Sequence, residues 1–164
     1  MLKMAVNKVI YAVSLALLTL MLLACGSTGE KTVDFTYLIT ATDDINPDIN
    51  GRASSVVVRV YQLSNSINFE NAAYEDLFAA SGNSLGSEFI AVNEYLVDPG
   101  SRTELDLEIS ENAKFIGVVV GYRSVDMVTW RTLKEIPGKN YKNFFSDSGL
   151  EIVVEKLSVR VVSI

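Results

Sequence analysis

The chain has 164 residues with 20 acidic and 14 basic side chains, a formal net charge of −6, no histidine and one cysteine. An acidic chain is a poor partner for nucleic acid, because binding to phosphates depends on Lys and Arg displacing counterions. Without histidine, the chain lacks the usual general base at neutral pH and the commonest metal ligand. We therefore expect no enzyme activity, no cofactor and no metal.

The first residues predict a secretory signal. Lys3 and Lys8 precede an apolar run over residues 9–23, and small Ala24 stands directly before the sole cysteine, Cys25. A positive segment, an apolar segment and a small residue at a cleavage point are the three parts of such a signal. The apolar run is shorter than the roughly 20 residues of a membrane-spanning helix.

The segment Leu22-Leu23-Ala24-Cys25 resembles the lipobox of bacterial lipoproteins. In those proteins the thiol takes a diacylglycerol, the signal is removed, and the new amine is acylated. The resemblance predicts a signal peptide over residues 1–24 and lipidation at Cys25. The small, polar residues that follow predict a flexible tether over 25–32, and the remaining length predicts one domain over 33–164. The alternative is a secreted protein with a free cysteine.

Alternating and β-branched segments predict strands through most of that domain. Residues 33–40 alternate, and residues 55–63 are rich in valine. Pro99-Gly100 marks a turn, and Gly117 and Gly121 indicate a bend or a close approach. The remaining strands are expected at residues 89–97, 104–109, 115–123, 128–136, 150–154 and 157–162, with a loop at 139–148.

Residues 68–81 change to helical spacing, with Phe69 and Leu77 on one face and Asn68 as the expected cap. One helix among many short strands predicts an all-β protein. The expected fold is a two-sheet β-sandwich with a short helical insertion after the second strand.

A long polar connection separates the first two strands. It spans residues 41–53 and is rich in Asp, Asn, Pro and Gly, which form turns. Long loops in compact domains are often functional. A calcium loop does not fit: counting from Asp44, the sixth position is Ile49 where glycine is required, and the twelfth is Ser55 rather than glutamate.

Other chemistry-bearing residues favour structural roles. Glu104, Asp106 and Glu108 alternate along one strand, which is typical of a solvated face that also keeps an exposed edge from pairing. Tyr122 and Trp130, each followed by an arginine, are interpreted as core or half-core residues rather than binding anchors. The arginine stems are expected to cover apolar surface.

Short segments occur along the domain in an order found in one known family. They are Ile45-Asn46-Pro47-Asp48, Gly51-Arg52, Ser54-Ser55, the strand 56–63, the helix with Phe69, Ala72, Tyr74 and Leu77, Asp98-Pro99-Gly100, Gly117-Val118-Val119-Val120, Tyr122-Arg123 and Trp130-Arg131. In this order they resemble TssJ (also VasD or SciN), the outer-membrane lipoprotein family of the type VI secretion system. The resemblance covers nearly the whole domain.

The resemblance implies a transthyretin-like sandwich held at the periplasmic face of the outer membrane by acyl chains such as palmitate. Gly26 after Cys25, rather than Asp, fits outer-membrane export by the same resemblance. Family members bind the periplasmic C-terminal domain of TssM, which pairs with TssL. The implied contact is the loop between the first two strands, and the site residues are Asp43, Asp44, Ile45, Asn46, Pro47, Asp48 and Ile49.

The composition of this loop suits such a contact. Ile45 and Ile49 are expected to be exposed apolar anchors, Pro47 stiffens the loop, and Asp44 and Asp48 are expected to meet a basic patch. The alternative for either isoleucine is that it folds back onto the sandwich.

Two other functions stay open at this point. A periplasmic carrier of a small apolar ligand requires a roomy pocket between the sheets. A hydrolase that uses carboxylates alone requires two acids close together in a cleft with raised pKa values.

Overall fold

A computed structural model describes residues 31–79, 83–136 and 150–163. The predicted signal peptide, Cys25, nearly all of the tether and the predicted loop at 139–148 lie outside these residues. The described chain contains eight strands. They are β1 (Thr32–Ala41), β2 (Val56–Leu63), β3 (Phe89–Val97), β4 (Arg102–Ser110), β5 (Phe115–Val120), β6 (Arg131–Glu135), β7 (Leu150–Val154) and β8 (Val159–Ser163).

The strands form two four-stranded sheets, which confirms the predicted sandwich. The first sheet has the order β4-β1-β7-β8 and the second the order β3-β2-β5-β6. Within them β1 and β7 are parallel, whereas the other paired strands are antiparallel. Strands β5 and β6 are shorter than expected, because Tyr122 and Val128 leave the ladder and join loops.

Period-two alternation places one face of each sheet in the core. On β1 the inward side chains include Phe35, Tyr37 and Ile39, and across the core β2 contributes Val56 and Val58, all at most 4% exposed. The acids Glu104, Asp106 and Glu108 are exposed on the outer face of the first sheet, as predicted.

A helical layer covers the outer face of the second sheet. The single helix predicted over residues 68–81 is wrong: the structure has α1 (Ile67–Asn71), α2 (Tyr74–Ala79) and a 3-10 segment (Asn83–Glu88). The chain breaks at Ala72, which is extended at ψ 145°. Phe69 and Phe78 are nine residues apart and would lie on opposite sides of a straight helix, so the break lets both rings face the sheet.

Two glycines, one on β5 and one directly after it, receive those aromatic rings. A Cβ on Gly117 would lie 2.6 Å from the ring of Phe69, and one on Gly121 would lie 2.7 Å from the ring of Phe78. The predicted close approach is therefore confirmed at both positions. The contact buries Phe69 to 1% exposure.

Arginines from the sheet fasten the helix ends. Arg131 donates to the carbonyls of Phe69 (3.0 Å) and Ala72 (2.8 Å), and its guanidinium lies 4.8 Å from the Trp130 ring centroid. Arg59 likewise donates to the Leu77 carbonyl at 3.0 Å. These bonds satisfy helix carbonyls that have no partner within the helix.

Candidate partner-binding loop end

Three loops meet at one end of the sandwich. They are residues 42–55 between β1 and β2, residues 121–130 between β5 and β6, and residues 155–158 between β7 and β8. Together they are named the loop end. The first loop crosses from one sheet to the other, the second joins two strands of the second sheet, and the third joins two strands of the first sheet.

Hydrogen bonds join the three loops. The N–H of Thr129 donates to the Leu157 carbonyl at 2.9 Å, which ties the second loop to the third. The hydroxyl of Tyr122 lies 2.8 Å from the Glu155 carbonyl and 2.6 Å from the Ser158 carbonyl, so it donates within the third loop. Burial raises the pKa of Tyr122, and the hydroxyl is the proton donor in these contacts.

Asn46 ties the first loop to the other two. Its Nδ2 donates to Ser54 Oγ at 3.0 Å and to the Ser55 carbonyl at 3.3 Å, while its Oδ1 accepts the Arg123 N–H at 2.8 Å. Its own N–H donates to the Lys156 carbonyl at 3.4 Å. The backbone has φ 48°, a left-handed conformation that asparagine tolerates better than most residues.

The first loop contains the tripeptide Asp-Ile-Asn twice, at 44–46 and 48–50. Ile45 is 0% exposed and belongs to the core between the sheets, whereas Ile49 is 100% exposed. The expectation that Ile45 is an exposed anchor is therefore wrong, and its alternative of folding onto the sandwich holds. Ile49 is placed as the expectation requires.

Asp48 organises the turn that carries Ile49. Its Oδ1 accepts the N–H groups of Asn50 (2.8 Å) and Arg52 (2.9 Å), and its Oδ2 lies 2.7 Å from Arg52 Nη2. Gly51, at φ 79°, closes the turn. The backbone N–H and guanidinium of Arg52 lower the pKa of Asp48. Its carboxylate thus already has a cationic partner within the loop.

The other predicted site residues lie around this turn. Asp43 is exposed and its carboxylate packs against Gly100 of the β3–β4 turn. Asp44 accepts the Thr42 hydroxyl at 2.8 Å and lies 3.7 Å from Lys156 Nζ. Pro47 is half-buried. The structure brings all seven predicted residues to the loop end and exposes Asp43, Asp44 and Ile49.

The second and third loops supply residues that the sequence did not single out as a surface. Met127 is 84% exposed and Leu157 is 48% exposed. Tyr122 and Arg123 also belong to the second loop: the sequence predicted Tyr122 as a core or half-core residue and the stem of Arg123 as cover for apolar surface. In the sequence, Met127 is an apolar residue between polar neighbours, and hydrophobic periodicity does not tell whether such a residue is exposed.

The described residues offer little for the two alternative functions. Hydrogen bonds lower the pKa of Asp48 and of Glu155, whereas a hydrolase that uses carboxylates alone requires raised pKa values. A groove of about 290 Å³ opens at the edge where β3 faces β4, lined partly by Ile39, Tyr95 and Leu105. It is open to solvent, whereas an apolar carrier encloses most of its ligand.

The helices within the described residues are all too short or too polar to span a membrane. The fold and the loop end together define a class: an all-β sandwich whose braced loops display apolar side chains at one end. Proteins of this class place binding residues on loops held by a rigid scaffold.

Within that class the family is shown by comparison with known proteins. The family model described as "Type VI secretion lipoprotein, VasD, EvfM, TssJ" matches residues 33–157. The chain therefore belongs to the type VI secretion lipoprotein family, as the sequence resemblance predicted. None of the curated proteins matches the chain.

Solved structures agree with this assignment. The T6SS lipoprotein TssJ1 from Pseudomonas aeruginosa is 25% identical with a TM-score of 0.73, covering 82% of this chain and 98% of that chain. A chain in a structure named as the TssM C-terminal domain from EAEC is 26% identical (TM-score 0.66; 82% and 100% covered). One in a type VI membrane complex is 27% identical (TM-score 0.68; 80% and 99% covered).

Proposed function

We propose that this chain is an outer-membrane lipoprotein, acylated at Cys25, that binds the periplasmic C-terminal domain of TssM through its loop end. Through TssM it is linked to TssL, so it tethers a trans-envelope secretion complex. Family membership supports this proposal. Further support comes from its similarity to chains in structures named for the TssM C-terminal domain and for a type VI membrane complex.

The observation that carries the proposal is the arrangement along β1. This strand has 10 residues, Thr32–Ala41, and the loop with Ile49 follows its last residue. At about 3.3 Å per residue the strand is roughly 30 Å long. Cys25 precedes the first residue of the same strand. In the chain, the proposed tether therefore joins the first residue of this strand and the loop with Ile49 joins its last residue.

The tip of the loop suits an interface in energetic terms. Ile49 is fully exposed, but the turn beneath it is closed by Asp48 and the loop base is fixed by Asn46. Binding costs less entropy when the contacting segment is already ordered. An aliphatic side chain that is buried only in the complex then contributes through the hydrophobic effect.

The domain organisation completes the proposal. Residues 1–24 form the signal peptide, 25–32 the tether and 33–164 the sandwich. The residue after the acylated cysteine is Gly26 rather than the Asp that retains lipoproteins in the inner membrane, and this fits export to the outer membrane by analogy with bacterial lipoproteins. Each methylene of the acyl chains that is buried in the membrane contributes about 0.8 kcal/mol to binding, so several chains together form a stable anchor.

Binding is tested with the full-length protein in detergent and the purified periplasmic domain of TssM from the same bacterium. We expect Ile49→Ser to weaken binding about tenfold or more, as loss of a central apolar contact does. Ile67→Ser is the matched control, since Ile67 is also exposed (58%) but lies on α1. Equal affinities for the wild type and Ile49→Ser would remove the tip from the interface.

Anchoring is tested in cells by labelling with radioactive palmitate and by membrane fractionation. We expect the wild type to take up label and to sediment with outer membranes. Cys25→Ala should incorporate no label and lose this fractionation. A wild-type protein that carries no acyl chain would contradict the proposed anchor, whatever the binding experiment shows.

A further inference from the structure

The loop end contains a small pit between its three loops. Its volume is about 60 Å³ and its walls come from Pro47, Tyr122, Val128 and Leu157. A space of this size admits a few water-sized groups, and it is far below the roughly 300 Å³ or more of a drug-sized ligand site. Its dimensions suit one branched aliphatic side chain.

The walls of this pit are fixed before any partner arrives. Tyr122 is 4% exposed, and its hydroxyl is hydrogen-bonded to the third loop. Pro47 follows Asn46, which is bonded to both other loops. Leu157 keeps 48% of its surface exposed. A partner side chain that enters the pit would cover this apolar surface without reordering the loops.

The rim of the pit carries positive charge. Among the described residues, Arg123 has no carboxylate within 4.0 Å, and its guanidinium donates only a long bond of 3.4 Å to Ser54 Oγ. Its charge helps to lower the pKa of Asp48, but Arg52 already pairs with that carboxylate. Lys156 is held by Asp44 at 3.7 Å, with both side chains more than half exposed.

We propose that this pit receives an aliphatic side chain of the protein partner, and that Arg123 binds a carboxylate next to it. The inference rests on the proposed function, because it concerns the same partner, but it adds two loops and a recognition chemistry to the tip at Ile49. The recognised element is an aliphatic residue adjacent to Asp or Glu. Arg123 selects it by charge, while Leu157 and Val128 supply apolar contact.

The first test measures binding of the TssM periplasmic domain to full-length variants. We expect Arg123→Glu and Leu157→Asp each to weaken binding about tenfold or more. The Arg123 variant keeps the N–H that bonds to Asn46, since that is a backbone group. Circular dichroism and urea titration of each variant separate loss of binding from loss of fold.

Two control variants make the same kinds of substitution at positions away from the pit. Lys114→Glu makes the same charge reversal at an exposed position between β4 and β5, and Ile67→Asp places a carboxylate on α1. Both should bind as the wild type does. Raising salt should weaken wild-type binding more than binding of Arg123→Met, because the pairing charge is screened.

The second test identifies the partner segment directly. A photo-crosslinking residue at exposed Ser124, beside the pit, should capture a partner peptide that contains an aliphatic residue next to Asp or Glu. A basic or purely polar peptide would overturn the inference. If Ile49→Ser weakens binding but Arg123→Glu and Leu157→Asp do not, the pit is rejected and the proposed function stands. If the wild type does not bind at all, the proposed function fails.

Discussion

The two Asp-Ile-Asn tripeptides of the first loop have the same residues and opposite roles. In the first, Ile45 is buried between the sheets and Asn46 joins three loops through hydrogen bonds. In the second, Ile49 is fully exposed and Asp48 closes a local turn. The first tripeptide thus fixes the base of the loop, and the second presents its tip.

The difference shows how one loop meets two demands. A contact surface needs exposed apolar atoms, but an exposed loop without internal support loses entropy when a partner orders it. Burying one isoleucine and exposing the other, four residues later, provides both support and contact. Matched substitutions in the two tripeptides separate these roles.

The largest effect is expected from the isoleucine pair. Ile45→Ala removes a side chain that is 0% exposed and should lower the free energy of unfolding by about 2–5 kcal/mol. Ile49→Ala should change it by less than about 0.5 kcal/mol, because it loses no packing. Urea unfolding of both variants measures the difference. If both variants lost similar free energies of unfolding, Ile45 and Ile49 would not differ in burial as described.

The asparagine pair should give the next largest difference. Asn46→Ala loses three side-chain hydrogen bonds and places alanine at φ 48°, so we expect a loss of about 2–3 kcal/mol in the free energy of unfolding. Asn46→Gly tolerates that φ and should lose less. Asn50→Ala, at an exposed position, serves as the control and should be nearly neutral. A neutral Asn46→Ala would exclude Asn46 as the residue that joins the loops.

The smallest effect is expected from acid at Asp48. Its folded-state pKa lies below the ordinary value of 3.8, so the turn gains stability above that value and loses it as pH falls through the folded pKa. The amide signals of Asn50 and Arg52 in an NMR titration should therefore move together with a midpoint below 3.8. In Asp48→Asn they should not titrate there. A midpoint at or above the ordinary value would contradict the hydrogen bonds that the Asp48 carboxylate accepts in this turn.

Strands were predictable from sequence where the alternation of apolar and polar residues matches their burial in the fold. Residues 33–40, 55–63, 89–97 and 104–109 alternate or are β-branched, and β1 to β4 occupy these positions. The helical insertion was predictable in place but not in form. Its break at Ala72 is accompanied by contacts of Phe69 and Phe78 with Gly117 and Gly121, which lie far away in sequence.

The loop end was predictable only as a segment. Turn-forming residues and the resemblance pointed to residues 41–53, and Ala41 proves to be the last residue of β1. The contribution of Arg123, Met127 and Leu157 could not be read from the sequence, because they come from two other loops. Their proximity follows from the strand directions. The β5–β6 and β7–β8 connections lie at the end of the sandwich where β1 ends and β2 begins.

By itself, the sequence determined the all-β class, the place of the insertion, the family and the loop to inspect, because these follow from local periodicity, turn chemistry and ordered motifs. The tertiary structure alone decided which Asp-Ile-Asn is buried. Both tripeptides have the same local preferences, so the choice is made by the gap between the sheets that one isoleucine fills, and by the distant Arg123 and Lys156 backbone groups that bond to Asn46.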